Sequence, residues 1–430
     1  MILQQAKEAW QSLADFRKNR QRCRDYTFGR QWNDLVKVDG RYMTEYDYII
    51  REGNVPLKNN LIRRVVRNVL GTFRREVDGM MKGYEGELEG VANANCLKEL
   101  FCRTMEEFLI SGVAIHRKGF GIRGGRSGIR TDIVSPDSFF FNSTARDVRG
   151  WDTDLVGQFH EVDFNQWCAA FVRDENDYRR AEEIFTPAGK TIRITEVWRH
   201  ETRSRYLIHD RTRGMLIKRD SAPDVATQNR RWILDNVWRY YFINEDGDIL
   251  LSGDSPYRHG RHPYVFKCYP FSDGEIQSFV GDMIDQQRYA NRLITMYDWV
   301  VRASAKGVLM IPEGSVSPEN LQSVADQWGR FNGVIVYKAN PNIPEPHQVN
   351  ASNANMGISE LLEIQLKMLE DVSGVNGALQ GNLSSNSVSG TLYNQQTENA
   401  RTSLIDLLET YRTFIDECRD MDLWLHRQTL

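Results

Sequence analysis

Nowhere does the chain approach the ~18 consecutive apolar residues of a membrane-spanning helix. Its first residues, Met1-Ile-Leu-Gln-Gln-Ala-Lys-Glu-Ala-Trp, bring charge too early for the core of a secretory signal. Both absences predict a soluble chain that is not secreted and has no membrane partner. There is no Cys-x-x-Cys pair. Cys23, Cys96, Cys102, Cys168, Cys268 and Cys418 are scattered, which excludes a zinc ribbon, argues against a disulfide framework and suits a reducing cytoplasm. Charge of one sign is also missing: 55 basic against 58 acidic residues leave a net charge of -3. That balance excludes a broad cationic grip on nucleic acid, and with it a basic transcription factor. Low-complexity tracts are lacking too, and 41% hydrophobic with 26% charged residues is a globular composition. A length of 430 residues leaves room for two or three compact units.

Helical spacing marks both ends of the chain. Residues 3–22 place Ala6, Trp10, Leu13 and Phe16 on one side and run into the basic stretch 17–24, which reads as a solvated face. Residues 60–77 carry Leu61, Val65, Val69 and Phe73 on one side and five arginines elsewhere. A third helix is predicted over 91–111, through Leu97, Leu100, Phe101, Met105 and Phe108. From 112 to 269 the period changes. Short apolar runs at 113–115, 129–134, 191–198, 238–243 and 263–268, separated by Gly, Pro, Asp and Asn, predict a β-rich body with a helical insertion at 164–171.

Ser272-Asp-Gly-Glu275 has the spacing of a capping box and predicts the start of a long helix reaching Ala303. Ile276, Phe279, Val280, Met283, Ile284 and Leu293 would share one face. Gln277, Gly281, Asp285, Arg288, Arg292 and Thr295 would form the polar stripe opposite. A small α/β insert follows, with a strand at 307–311, a helix at 318–328, a strand at 333–337 and a proline-spaced segment at 340–346. Next come a helix at 358–372, a loop at 374–390 rich in Gly, Ser and Asn, and a last helix over 391–428. That helix carries Leu404, Leu408, Tyr411, Phe414, Ile415, Cys418, Met421 and Leu425 on one stripe. The fold class is α+β.

Three motifs invite chemistry and each has a plainer explanation. Gly119-Phe-Gly-Ile-Arg-Gly124 matches the dinucleotide-binding pattern, but Gly125-Arg-Ser-Gly128 and a further strand follow where a helix should open, so a hairpin is expected. Gly189-Lys-Thr191 resembles the end of a phosphate loop, yet Ile184 stands where the first glycine belongs, and a turn is expected. His259 and His262 could pair on a metal but lie in Gly/Pro-rich coil, with Asp254 the only close carboxylate; neither a metal nor a cofactor is expected. No nucleophile with an adjacent base is visible, so the chain is not expected to be an enzyme.

The order of elements, together with several short segments, resembles the portal proteins of tailed double-stranded DNA phages, and in detail the podophage-like portal family. The segments are Phe28-Gly-Arg-Gln-Trp32, Asn59-Asn-Leu-Ile62, Leu109-Ile-Ser-Gly-Val-Ala114, His262-Pro-Tyr-Val265 with Tyr269-Pro270, Asp273-Gly-Glu-Ile-Gln-Ser-Phe-Val280 and Asp285-Gln-Gln-Arg-Tyr-Ala-Asn291. Ser373-Gly374, Gly381-Asn382 and Ser389-Gly390 leading into Tyr393-Asn-Gln-Gln396 complete the set, which spans residues 26–430. The resemblance implies a portal fold: a β-rich wing with N-terminal helices (1–271), a first stem helix (272–303), a clip (304–357), a second stem helix (358–374), a tunnel loop (375–390) and a long C-terminal helix (391–430) that starts a short or absent crown. It implies a dodecameric ring at the capsid vertex of the virion, assembled in the host cytoplasm, through which double-stranded DNA is packaged and ejected. Its partners would be the terminase large subunit, the head–tail adaptor and the major capsid or scaffold protein. Asn382, Ser384, Ser385, Asn386 and Ser387 would face the DNA, and Gln277, Asp285, Arg288 and Arg292 would form the stem's polar face. Two readings stand beside this one: a nucleotide-dependent nucleic-acid-processing enzyme, or another phage connector or tail structural protein.

Overall fold

Apolar spacing at the start of the chain produces helices, with breaks that the periodicity does not show. The computed structural model describes residues 1–123, 126–186, 190–210, 215–220, 230–306, 308–312, 316–329, 347–349, 357–375 and 402–429. Instead of one helix over 3–22 there are two, α1 (Ile2–Ser12) and α2 (Ala14–Thr27). Ser12 Oγ donates to the Ala9 carbonyl at 2.7 Å, and Arg17 donates to the Trp10 carbonyl at 2.7 Å while stacking 3.6 Å above the Trp10 ring. Side chains thus satisfy carbonyls that a continuous helix would have used. Next come β1 (Leu35–Val38), β2 (Arg41–Thr44) and α3 (Glu45–Arg51), then α4 (Leu61–Met80), which buries Ile62, Val65, Val69, Phe73 and Val77 along one stripe. The helix expected over 91–111 is also broken, into α5 (Glu89–Ala94) and α6 (Leu97–Ser111). Asn95 turns outward at the break: Nδ2 donates to the Ile129 carbonyl at 3.0 Å, Oδ1 accepts from the Thr131 amide at 3.1 Å, and Cys96 takes φ 50°.

The chain divides into two units, one of Met1–Phe28, Leu61–Ile284 and Asp371–Leu430, the other of Gly29–Asn60 and Asp285–Glu370. In the first, β3 (Val113–Arg123) pairs antiparallel with β4 (Arg126–Ile133). A six-stranded antiparallel sheet follows, built from β5 (Phe139–Phe141), β6 (Leu155–Val162), β7 (Ile192–Asp210), β8 (Met215–Arg219), β9 (Arg230–Ile243) and β10 (Ile249–Asp254). Its order is β10-β9-β7-β6-β5, with β8 on β7. The insertion expected at 164–171 is α7 (Phe164–Phe171), capped by Asp163 and followed by α8 (Glu175–Ile184); Trp167, Ala181 and Phe185 pack there on Ile192 and Ile194. β11 (Tyr264–Cys268) completes the smaller sheet beside β3. The main core joins Ala6 and Ala9 of α1, and Leu13 just after it, to Ile115, Phe140, Val156, Val197, Trp198 and Tyr264. The class is α+β, with strands where the period changed.

One expectation fails at Ser272. Phe271–Ser272 and Glu275–Ile276 are strands β12 and β13 of a tight hairpin, and Asp273 (φ 51°) and Gly274 (φ 86°) between them are both left-handed. Asp-Gly supplies the two positive φ values of a type I′ turn, and that preference outweighs a Ser/Glu capping pair. The long helix therefore begins at Ile284, not Ser272, as α9 (Ile284–Lys306). Gln277 is not on it; its amide donates to the Pro270 carbonyl at 3.2 Å. Gly112 (φ 78°) ends α6 directly against this segment: a Cβ there would stand 1.8 Å from the Gln277 carbonyl oxygen, so only glycine fits.

In the second unit Asp39 (φ 50°) and Gly40 (φ 79°) make another such turn between β1 and β2, a hairpin the sequence reading passed over, and Thr44 caps α3. After α9 come β14 (Val308–Met310), α10 (Pro318–Gly329), β15 (His347–Val349) and α11 (Ile358–Ser373). β14 and β15 pair antiparallel; the strand expected at 333–337 and the segment 340–346 lie outside the described residues. α12 (Ile405–Thr429), in the first unit, is the last helix; Ser403 and Leu404 before it form a turn, so the single helix expected over 391–428 is broken there. Tyr411 and Phe414 on its buried stripe meet Phe73 and His116 at 5.1 and 5.0 Å. Among the described residues no helix is long and apolar enough to cross a membrane.

Candidate functional site

Three of the short segments singled out in the sequence meet in the second unit. Gln31, Asn60 and the α9 residues Gln287 and Asn291 form a ladder of side-chain amides, which the backbone of Asn59 joins. Asn291 Nδ2 donates to Gln31 Oε1 at 2.7 Å, and Gln31 Nε2 donates to Asn60 Oδ1 at 3.0 Å. Gln287 Nε2 donates to the Asn59 carbonyl at 2.7 Å and to Asn291 Oδ1 at 3.0 Å, while the Asn59 amide donates to Asn291 Oδ1 at 3.2 Å. Gln31, Gln287 and Asn291 are buried, so their amides need hydrogen-bond partners within the protein, and the ladder supplies them. A turn further along, Thr295 Oγ1 accepts from the Leu57 amide at 3.1 Å.

The polar stripe expected on the stem is thus largely engaged inside the chain. Arg288 and Arg292 both donate to the carboxylate of Glu45, which is buried at the start of α3; Arg288 Nε lies 3.1 Å from it. Asp285 is exposed in the first turn of α9, and Gln277 lies off the helix. Glu45 went unnoticed in the sequence. Its only local signals are Asp39-Gly40 and the Thr44 cap, which announce a hairpin running into a helix but not the partner of that helix.

Outward from this packing, α9 and α11 present apolar side chains to solvent. α11 buries Ile358, Gln365 and Leu369, yet Leu361, Ile364 and Met368 are exposed by 43%, 51% and 50%. On α9, Tyr289, Met296, Tyr297 and Trp299 are likewise exposed. Residues at i, i+3 and i+7 on α11 make a continuous stripe, the pattern of a helix that packs on something.

The second candidate element begins at Gly374 (φ 65°). Ser403 Oγ donates to the Gly374 carbonyl at 3.1 Å, and the Val375 amide donates to Ser373 Oγ at 3.2 Å, with Val375 wholly buried. The bond between Ser403 and Gly374 joins residues on either side of 376–401, which lie outside the described residues. Asn382, Ser384, Ser385, Asn386 and Ser387 lie outside the described residues.

The motifs with chemical alternatives take their plainer forms. Gly119 and Gly121 sit in β3 opposite Arg130 and Gly128 of β4, with no helix opening behind them, so the dinucleotide pattern is a hairpin. Lys190 is exposed and donates to the Ile184 carbonyl at 3.3 Å; residues 187–189 lie outside the described residues. His262 is buried 4.7 Å from the Trp238 ring, and its Nδ1 accepts from the Tyr264 amide at 3.3 Å. Burial, with Arg261 beside it, lowers its pKa to about 3, and burial lowers that of His259 to about 4. Among the described residues no three His, Cys, Asp or Glu side chains are placed to share a metal.

A family model described as the phage P22-like portal protein matches residues 84–420. No curated protein matches the chain.

Proposed function

The chain belongs to the family of phage P22-like portal proteins, and from that premise we propose that it serves as one subunit of a closed, dodecameric ring at the capsid vertex that conducts double-stranded DNA during packaging and ejection. The observation that carries this reading is the pair of exposed apolar faces on α9 and α11. Repeating subunits close a ring through two different surfaces of each copy, and long helices whose apolar sides stay open within the chain supply such surfaces. The role is structural and has no cofactor. Residues 1–271 act as the wing, with the stem helices now taken as Ile284–Lys306 and Ile358–Ser373. Residues 304–357 act as the clip that meets the terminase large subunit and the head–tail adaptor, and residues 391–430 return to the wing. The major capsid or scaffold protein would meet the ring from outside.

Residues 375–390 act as the tunnel loop. Support comes from the position of that stretch between the second stem helix and the last helix, with Gly374 before it and Ser403 after it hydrogen-bonded to one another, and from hydroxyl and amide groups able to touch phosphates without fixed charge. Arg288 and Arg292, paired with Glu45, would leave the stem close to neutral, which suits a polyanion that must slide. Native mass spectrometry with negative-stain microscopy tests the reading. Rings with a central channel are expected, and only monomers or dimers at high concentration with scaffold present would refute it.

A further inference from the structure

The structure sorts the five arginines of α4 into two groups. Arg63 pairs with Glu106 at 2.5 Å and Arg74 with Glu99 at 3.1 Å. Arg64, Arg67 and Arg75 are exposed, and none makes an ion pair or hydrogen bond among the described residues. With 3.6 residues per turn, these three fall within about 80° of one another and span roughly 16 Å of helix. Gly71 lies between them on the same stripe, and nothing stands within 4 Å of where its Cβ would be, so a broad surface can approach the backbone there. Asp78, the acid at the end of the stripe, is held by Lys98 at 2.7 Å.

The apolar side chains of α4 contribute no large exposed hydrophobic to this face. A protein partner would need an apolar or aromatic centre to bind, which α9 and α11 offer and this face does not. A row of guanidinium groups with nothing apolar among them suits phosphate oxygens, which take their forked donors in pairs. A net charge of -3 over the whole chain makes the attraction local to the stripe.

We propose that Arg64, Arg67 and Arg75 form a binding site for the phosphate backbone of double-stranded DNA, separate from the channel elements above. The inference relies on the portal reading for duplex DNA being near the protein, and on the stripe for the contact itself. Because the site reads phosphates and not bases, its binding is independent of sequence and steeply dependent on salt.

The test is fluorescence anisotropy of a labelled ~25-base-pair duplex of arbitrary sequence with the full chain, from about 50 to 200 mM salt. The Arg64→Gln/Arg67→Gln/Arg75→Gln variant should bind about tenfold or more weakly at low salt. Its slope of log affinity against log salt should be shallower by about 2 to 3, given roughly 0.9 per phosphate contact. The triple Lys variant should keep the slope to within about 1, since charge is retained. An unchanged affinity and slope in the Gln variant, with a wild-type melting curve, overturns the proposal. So does a Gln variant that no longer assembles rings yet binds DNA normally as a subunit, because the stripe would then be a contact between copies. Failure of the wild-type chain to form rings would refute the portal reading instead, and the DNA comparison would still decide the stripe on single subunits.

Discussion

Asp422 on α12 and Lys118 on β3 form an ion pair of 2.5 Å with neither side chain exposed to solvent. Tyr84 donates to the same carboxylate oxygen at 3.0 Å and Thr131 Oγ1 lies 3.2 Å from the ammonium, whereas Asp422 Oδ1 has no hydrogen-bond partner among the described residues. Removing one charge leaves the other buried without compensation. Asp422→Ala is expected to lower stability to chemical denaturation by about 3–5 kcal/mol. Lys118→Met with Asp422→Leu should cost far less, or stabilise, because no charge is then desolvated. Equal losses for the single and double variants would contradict this account.

Acid should weaken the fold well before carboxylates protonate. His262 is held neutral down to about 3, and burial, with Lys118 nearby, keeps His116 well below its ordinary 6.5. In the unfolded chain both would take up protons near 6.5. Below that value the unfolded state therefore binds more protons, so the stability these groups give is complete above about 6.5 and is lost as pH falls, for His262 down to about 3. His262 adds a slope of about 1.4 kcal/mol per pH unit between those two values. His262→Gln should flatten the denaturation midpoint's dependence on pH between about 4 and 6 by one such increment; an unchanged slope would count against a neutral buried ring.

If the exposed stripe of α11 is a seam between copies, Ile364→Asp with Met368→Asp should abolish rings while leaving the subunit's melting temperature within a few degrees of wild type. Both side chains are about half exposed, and surface substitutions away from packed features usually change stability by less than about 0.5 kcal/mol. Rings of normal size from this variant would remove α11 from the interface.

Alanine at Asn382, Ser384, Ser385, Asn386 and Ser387 should leave ring assembly intact and shorten the packaged DNA or impair its retention, read as DNA length per particle by pulsed-field gels. Full-length packaging by such rings would show that these side chains do not touch the moving duplex.

What the sequence made legible was local. The helices at 164–171 and from 358, and the hairpin through Gly119 and Gly121, rest on spacing and turn chemistry within a dozen residues. Ser272-Asp-Gly-Glu275 misled because two local signals overlap on four residues, and only the pairing of Phe271 with Ile276 decides between them. The amide ladder was visible only as separate segments, and Glu45 was not visible at all, since its arginine partner lies 243 residues away. The arginines of α4 were legible as a count, but which of them are already engaged depends on Glu99 and Glu106 of α6.

The ladder of Gln31, Asn59, Asn60, Gln287 and Asn291 is made of groups that neither titrate nor carry charge. A duplex in transit drags an ion atmosphere past whatever surrounds it, and the local ionic strength rises and falls as it comes and goes. Ion pairs between surface side chains feel such swings through screening, while dipoles locked to one another around the buried Gln31, Gln287 and Asn291 do not. The amide part of the clamp that fastens residues 29–60 to α9 is therefore indifferent to the electrolyte, and holds beside the charged contacts of Glu45 with Arg288 and Arg292 whether the passage is full or empty.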